Sequence, residues 1–274
     1  MGLRINTNVA SLTAQRNLSN STTALNRSLA RLSSGLRITR ASDDAAGLAI
    51  SERFRADVRS LQQAQRNGLD GISLLQIAEG ALNETSGILV RMRELAIQSA
   101  NDTLGAGERT VLNNEFTDLV AEIDRIANVT EFNGVSLLDG TAPTVTFQVG
   151  IDNTANDQIA VAGVDGTAAG VGVAALAIDS LANAQAALGG LDLAIDDVTS
   201  LRGGFGTAQN RLESTIRSIA VAVENTQAAE SRIRDVDVAS ETAILTRNQV
   251  LQQAGISVLA QANVSTQSAL SLLQ

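Results

Sequence analysis

From Asp43 to Ser99 the chain reads DDAAGLAISERFRADVRSLQQAQRNGLDGISLLQIAEGALNETSGILVRMRELAIQS, and one apolar rhythm runs through it. Ile50, Phe54, Asp57, Leu61, Ala64, Gly68, Gly71, Leu75, Ala78, Leu82, Thr85, Leu89, Met92 and Ala96 fall at alternating spacings of three and four, the heptad of a helix that packs along one seam. A second stripe, Leu74, Ile77, Ala81, Ile88 and Leu95, predicts that the C-terminal half is covered on two sides. Asp43 or Asp44 can cap the first amides, and the run Asn101 to Gly107 stops the helix. At about 1.5 Å per residue such a rod is on the order of 80 Å long, so an elongated molecule is expected.

Composition says where burial must come from. Aromatic residues make up 2 % of the 274, with no Trp and no Tyr, so the core must be Leu, Ile, Val and Ala along helix seams. All 20 basic residues are arginines, and 29 acidic residues leave a net charge of -9. No basic stripe is available to displace counterions from phosphate, which argues against nucleic acid as a partner. Without His or Cys the chain lacks an imidazole base, a thiol nucleophile and any Cys/His zinc site, and its serines have no His or Lys to activate them. No catalytic residue, metal or cofactor is expected, and the chain is read as no enzyme. No window approaches the roughly 18 to 20 apolar residues of a membrane span, and the first residues lack the apolar region of a signal peptide.

The flanking segments differ from the rod. Residues 3 to 36 read as a helix with a weaker seam: Ile5, Val9 and Leu12 keep the rhythm, the phase slips near Arg16 to Ser19, and Leu25, Leu29, Leu32 and Leu36 resume it. Seam positions between them fall on Ser, Thr and Asn, too little apolar surface to order the segment alone. Residues 108 to 128 form a second amphipathic helix through Leu112, Phe116, Leu119, Ile123 and Ile126. After Pro143, the single proline, Val145, Phe147 and Val149 alternate with polar residues, and Ile159 to Val161 return as the second strand of a hairpin. Gly163 to Gly172 reads as a loop.

A return helix from near Ile178 carries a second long heptad: Leu181, Ala184, Leu188, Leu191, Ile195, Val198, Phe205, Leu212, Ile216, Ile219 and Val223, interrupted at Arg202 and Gln209. Its antiparallel pairing with the rod brings both terminal segments to one end of the molecule. From about Ser240 the C-terminal segment places Leu251, Ala254 and Val258 on one stripe and Ile256, Leu259, Leu270 and Leu273 on another, again diluted by polar residues. The fold class is therefore mainly α: an elongated antiparallel helical bundle or coiled coil with a small β-hairpin and two terminal helices that pair at one end.

Leu32 to Ile38, Asp43 to Ser51, Asp70 to Gln76, Ala78 to Leu82, Arg91 to Ala96 and Glu131 to Gly134 resemble the N-terminal region of bacterial flagellins. Leu212-Glu213, Ala228 to Asp237 and Leu259 to Asn263 resemble the C-terminal region, and only about 141 to 180 falls outside the match. The resemblance implies a structural subunit, exported without a cleaved signal peptide, that polymerises into the extracellular filament used for swimming. The segments are then 1–42, N-terminal assembly helix and linker; 43–140, rod, second helix and following turn; 141–177, hairpin and short loop in place of variable outer domains; 178–227, return helix; and 228–274, linker and C-terminal assembly helix. Ile5, Val9, Leu12, Leu25, Leu29, Leu32, Leu251, Val258, Leu259, Leu270 and Leu273 are the candidate self-assembly residues. The family also implies the export apparatus, a chaperone on the C-terminal helix, and cap and junction proteins as partners. It further implies recognition by the vertebrate Toll-like receptor for flagellin, with Arg91, Leu95 and Glu115 where the matching motif places its contacts. Arg91 and Leu95, at i and i+4, would share a helix face, with Glu115 across from them. A hook-filament junction protein and, further off, a signalling coiled coil are the alternatives; the hairpin and the diluted termini argue against the coiled coil.

Overall fold

A computed structural model describes residues 7–271, with side chains through residue 264. The elements are α1 (Val9–Ser34), α2 (Ala45–Ser99), α3 (Ala106–Val129), β1 (Glu131–Phe132), β2 (Val135–Ser136), β3 (Val145–Gln148), β4 (Gln158–Val161), α4 (Leu181–Arg234) and α5 (Val238–Ser271), with a 3-10 turn at Ala155–Asp157. The chain divides into two compact units. Residues 57–224 form one; residues 1–56 and 225–274 form the other.

In the 57–224 unit the rod heptad is the core. From Ala64 every seam position through Ala96, glycines and Thr85 included, is buried. On α4 the matching positions Ala184, Leu191, Val198, Phe205, Leu212 and Ile219 are buried, and α3 contributes Phe116 and Ile123. Each large aliphatic side chain removed from water here contributes about 1.5–3 kcal/mol. The second rod stripe holds at Leu74 and Leu95 but not at Ile77, which is exposed.

Polar interruptions and glycines in the seams find uses. Gln209 donates to Glu79 at 3.2 Å and Arg202 approaches the same carboxylate at 3.9 Å, so the two breaks in the α4 heptad converge on one rod residue. A Cβ on Gly71 would sit 3.0 Å from the Phe147 ring and one on Gly68 3.0 Å from Ile216, so both glycines permit close approach. Gly80 has nothing within 4 Å, and there the roughly 1 kcal/mol helix cost is simply carried.

The β3–β4 hairpin pairs Val145 with Val161 through Gln148 with Gln158 and buries Phe147 and Ile159. A second hairpin, β1–β2, turns at Asn133-Gly134, both at positive φ (52° and 77°). The glycine-rich loop is less open than its composition suggests. Ala168, Val171 and Val173 are buried, the Ala168 N–H donates to Asp124, and the Ile178 N–H donates to Asn113. Arg109 closes the end of α2 by donating to the carbonyls of Ser99 and Asn101.

In the other unit α1 and the last residues of α4 lead through tight connections. Asp44 caps α2, accepting from the Gly47 N–H at 2.8 Å, while Asp43 folds back to accept from Thr39 and Arg40. α4 continues to Arg234, seven residues past the boundary drawn at 227, because Arg232 and Arg234 complement its C-terminal dipole. Only Asp235 to Asp237 separate it from α5. Leu36 pairs with Asp235, and the Arg37 N–H and guanidinium donate to Arg234 and Ile233 carbonyls.

Candidate functional site: the outer faces of the terminal helices

α1 begins at the Asn8 cap, whose side chain accepts from Ser11 N–H at 3.0 Å, and ends at Gly35 with φ 71°. α5 begins at the Asp237 cap. The two helices run antiparallel, and their covered positions keep a heptad of their own. On α1 these are Ser11, Ala14, Leu18, Ser21, Leu25, Ser28 and Leu32; on α5, Glu241, Leu245, Asn248, Gln252, Gly255, Leu259 and Ala262. The seam is small and polar. Ser11 donates to Asn263 (2.9 Å), Asn8 to the Ala262 carbonyl (3.0 Å) and Gln252 to Thr22 (3.4 Å), while Arg31 faces the buried Glu241 at 3.7 Å. A Cβ on Gly255 would meet Leu18 at 3.4 Å, so the glycine lies against that leucine with room for little more than a methyl group.

The large apolar residues mostly turn away from that seam. Val9 is 64 % exposed, Leu12 58 %, Leu29 48 %, Leu251 50 % and Val258 58 %, and Ile244, Val250, Ile256 and Val264 are exposed with them. Of the candidate assembly residues, only Leu25, Leu32 and Leu259 lie half-buried between the helices. The expected pairing of the two terminal helices is present, with Ser, Ala, Asn and Gln beside the half-buried leucines on the inner side and most of the Val, Leu and Ile on the outer. Ile5 and Leu273 lie outside the described residues, and for Leu270 only the helical backbone is described. The signal that could have found the arrangement is the phase: Ser11, Ala14, Ser21 and Ser28 repeat at heptad spacing as strictly as the leucines.

Charge divides between the units. Residues 1–56 and 225–274 hold 11 arginines and seven acidic residues, a net charge of +4; residues 57–224 hold nine arginines and 22 acidic residues, -13. In the basic unit Arg16, Arg27, Arg40, Arg53, Arg232 and Arg247 are exposed and pair with no carboxylate among the described residues. Arg31, Arg55 and Arg234 do pair; Arg234 donates to Glu52 at 2.8 Å, and that contact is the largest cause holding the Glu52 carboxyl below its ordinary value.

In the acidic unit Arg91 donates through Nε and Nη2 to one oxygen of Glu115 (3.1 and 2.8 Å) and through Nη1 to Glu94 (3.0 Å). All three are exposed. Leu95 is not on that surface. Its side chain is 0 % exposed and belongs to the core cluster, because the second rod stripe is covered here. Among the described residues there is no His, Cys, Asp and Glu group placed to hold a metal ion, and no helix is long and apolar enough to cross a membrane.

Comparison with known proteins fits this architecture. Residues 5–143 match the bacterial flagellin N-terminal helical region and residues 188–273 the bacterial flagellin C-terminal helical region. A flagellin of Halalkalibacterium halodurans is 48 % identical over 98 % of this chain and 99 % of its own length. The flagellar filament 33 kDa core protein of Treponema phagedenis is 46 % identical over the same shares. The crystal structure of Bacillus cereus flagellin is similar at 34 % identity with a TM-score of 0.51, covering 56 % of this chain and 88 % of that one. Full-length likeness of this kind does not favour the junction-protein alternative. The chain belongs to the bacterial flagellin family, the structural subunits of the flagellar filament.

Proposed function

We propose that this chain leaves the cell and polymerises into the extracellular filament through the outward apolar faces of α1 and α5, performing no chemistry. One observation carries the reading: the terminal helices hold each other by a small, polar seam and keep Val9, Leu12, Leu29, Leu251 and Val258 exposed. Exposed large apolar residues along paired helices suit an interaction site, and head-to-tail repetition of one contact gives an open helical polymer. The experiment is nucleated assembly of the purified chain followed by electron cryo-microscopy. The expected filament buries these residues between subunits; a filament in which they face solvent contradicts the reading.

The finer partners are those the family resemblance implies. An export chaperone would cover α5, whose exposed Val250, Leu251, Ile256 and Val258 need shielding before assembly. Cap and junction proteins would meet the same faces at the filament ends. Recognition by the Toll-like receptor for flagellin is assigned to Arg91 and Glu115, with Leu95 holding α2 in place from beneath. Replacing Arg91 by Ala should weaken receptor activation by the monomer, and failure of the unaltered monomer to activate receptor-bearing cells removes the assignment.

A further inference from the structure

Five times in this chain an Asn or Asp precedes a glycine: at 67, 70, 133, 139 and 165. That pairing matters chemically, because a glycine peptide nitrogen has no neighbouring side chain to block its attack on the carbonyl carbon of the preceding side chain. Four of the five are restrained. Asn67 and Asp70 lie inside α2, where the next peptide N–H belongs to the helical ladder. Asn67 is held further, accepting from Gln63 at 2.9 Å and donating to the Gln148 carbonyl at 3.0 Å. Asp139 accepts from the Thr141 N–H and hydroxyl (3.0 and 2.9 Å), and Asp165 accepts from the Thr167 N–H and hydroxyl (3.0 and 2.6 Å). The Thr141 contacts also keep the Asp139 carboxyl below its ordinary value, hence ionised and a poor electrophile.

Asn133 alone of the five combines exposure, an uncharged amide and a following peptide outside any helix. It is exposed at the tip of β1–β2, its side chain has no hydrogen bond among the described residues, and its amide is uncharged at any pH. The ladder pairs Phe132 with Val135 and leaves the Gly134 N–H outside it. Space around Gly134 is open, with nothing within 4 Å of where a Cβ would stand. Two ladder pairs and one flanking bond from the Leu137 N–H to the Thr130 carbonyl close this short hairpin, so local opening of the turn is inexpensive.

We propose that Asn133-Gly134 is a deamidation site of the folded protein. Hydroxide takes the Gly134 peptide proton and the nitrogen attacks Asn133 Cγ. The N–Cγ bond forms, the Cγ–Nδ2 bond breaks, and Nδ2, protonated by the water just formed, leaves as ammonia, closing a five-membered imide and regenerating hydroxide. Water then opens the imide at one of its two carbonyls. Opening at Cγ returns an aspartate; opening at the α-carbonyl leaves an isoaspartate, with the main chain running through the side-chain carbon. No oxidant or reductant is needed, and each product adds one negative charge at neutral pH. The isoaspartate lengthens a two-residue turn directly upstream of the buried Leu137 and Leu138, and the Leu137 N–H donates back to the Thr130 carbonyl at 3.1 Å. The change therefore reaches the core edge, and it accumulates in a subunit with the time since its synthesis.

The test incubates the full native chain at mildly alkaline pH, maps its peptides by mass spectrometry and labels isoaspartate with a protein isoaspartyl methyltransferase. The expected result is progressive loss of the Asn133 amide into an aspartate and isoaspartate mixture, with the Asn67 amide retained and the label abolished by Asn133→Gln. A urea-unfolded sample should convert both asparagines. If the native chain keeps the Asn133 amide as long as that of Asn67 while the unfolded chain loses both, or if Asn133→Gln leaves the label in place, the proposal is overturned.

Discussion

Both units are built from heptads, yet they fill the seam differently. Between α2 and α4, residues 64–96 and 184–219 bring Leu, Met, Ile and Phe inward. Between α1 and α5 the same spacing mixes Ser, Ala, Asn and Gln with five half-buried leucines, Leu18, Leu25, Leu32, Leu245 and Leu259, and leaves Val9, Leu12, Leu29, Leu251 and Val258 outside. Periodicity alone fixes that helices pair; the chemistry of the inward residues decides whether the pair is an end in itself or waits for further partners. Charge follows the division, +4 on the unit with the unfinished surface and -13 on the one with the finished core.

Four predictions break or sharpen this contrast, the largest effect first. Deleting residues 240–274 should abolish polymerisation while the 57–224 unit stays helical, as sedimentation and circular dichroism would report. Filaments from that truncated chain would show that α5 is not needed for assembly.

Next come two truncations of the same chemistry. Leu89→Ala empties a fully buried seam position and should cost the monomer about 2–5 kcal/mol in denaturant unfolding. Leu251→Ala, at an exposed position, should leave monomer stability within about 0.5 kcal/mol and instead raise the critical concentration for assembly. Equal destabilisation by the two would mean that α5 is finished as a monomer.

A smaller effect is expected of the unpaired arginines. Arg16→Glu with Arg247→Glu should slow nucleated elongation, more at low ionic strength than at high, since a basic unit of one copy is drawn to the acidic units of others. Monomer melting should not move. Elongation indifferent to the reversal would leave these arginines a role in solvation only.

The smallest concerns acid. Asp43 is held below its ordinary value chiefly by the Thr39 hydroxyl and then by backbone N–H donors, and Glu52 chiefly by Arg234. A depressed carboxyl stabilises the fold above its unfolded value and loses that contribution as pH falls through the depressed one. Amide exchange at Thr39 and Arg40, whose N–H groups donate to Asp43, should therefore quicken on acidification below the ordinary aspartate range of about 3.8, with the Leu89 and Met92 amides unmoved. Equal quickening at both sites would point to global unfolding.

Much of the fold was legible in the sequence because burial there is one-dimensional: a strict heptad of Leu, Met and Ala has one face to hide, and α2, α3, α4 and the β3–β4 strands lie where the periods place them. The Asn133-Gly134 hairpin was legible too, as a two-residue turn signal between short apolar runs, but it was read only as part of a family motif. The assembly surface was half legible. Polar dilution marked the terminal helices as incomplete and the small-residue phase marks the inner side of α1, but the partner of each position, Gly255 against Leu18 or Asn8 against Ala262, cannot be read from either segment alone. At Leu95 two spacing arguments conflict: i and i+4 places it beside Arg91, the second stripe places it under cover, and the covered position is the one it occupies.

The central claim is that α1 and α5 are held weakly to each other and completed by other copies. Hydrogen exchange resolved along the chain, in monomer and in filament, tests it most directly. Amides of residues 9–34 and 238–264 should exchange fast in the monomer and become protected in the filament, while residues 64–96 are protected in both. If the terminal helices of the monomer are already as protected as the 64–96 seam, the polar seam is sufficient by itself and the claim is wrong.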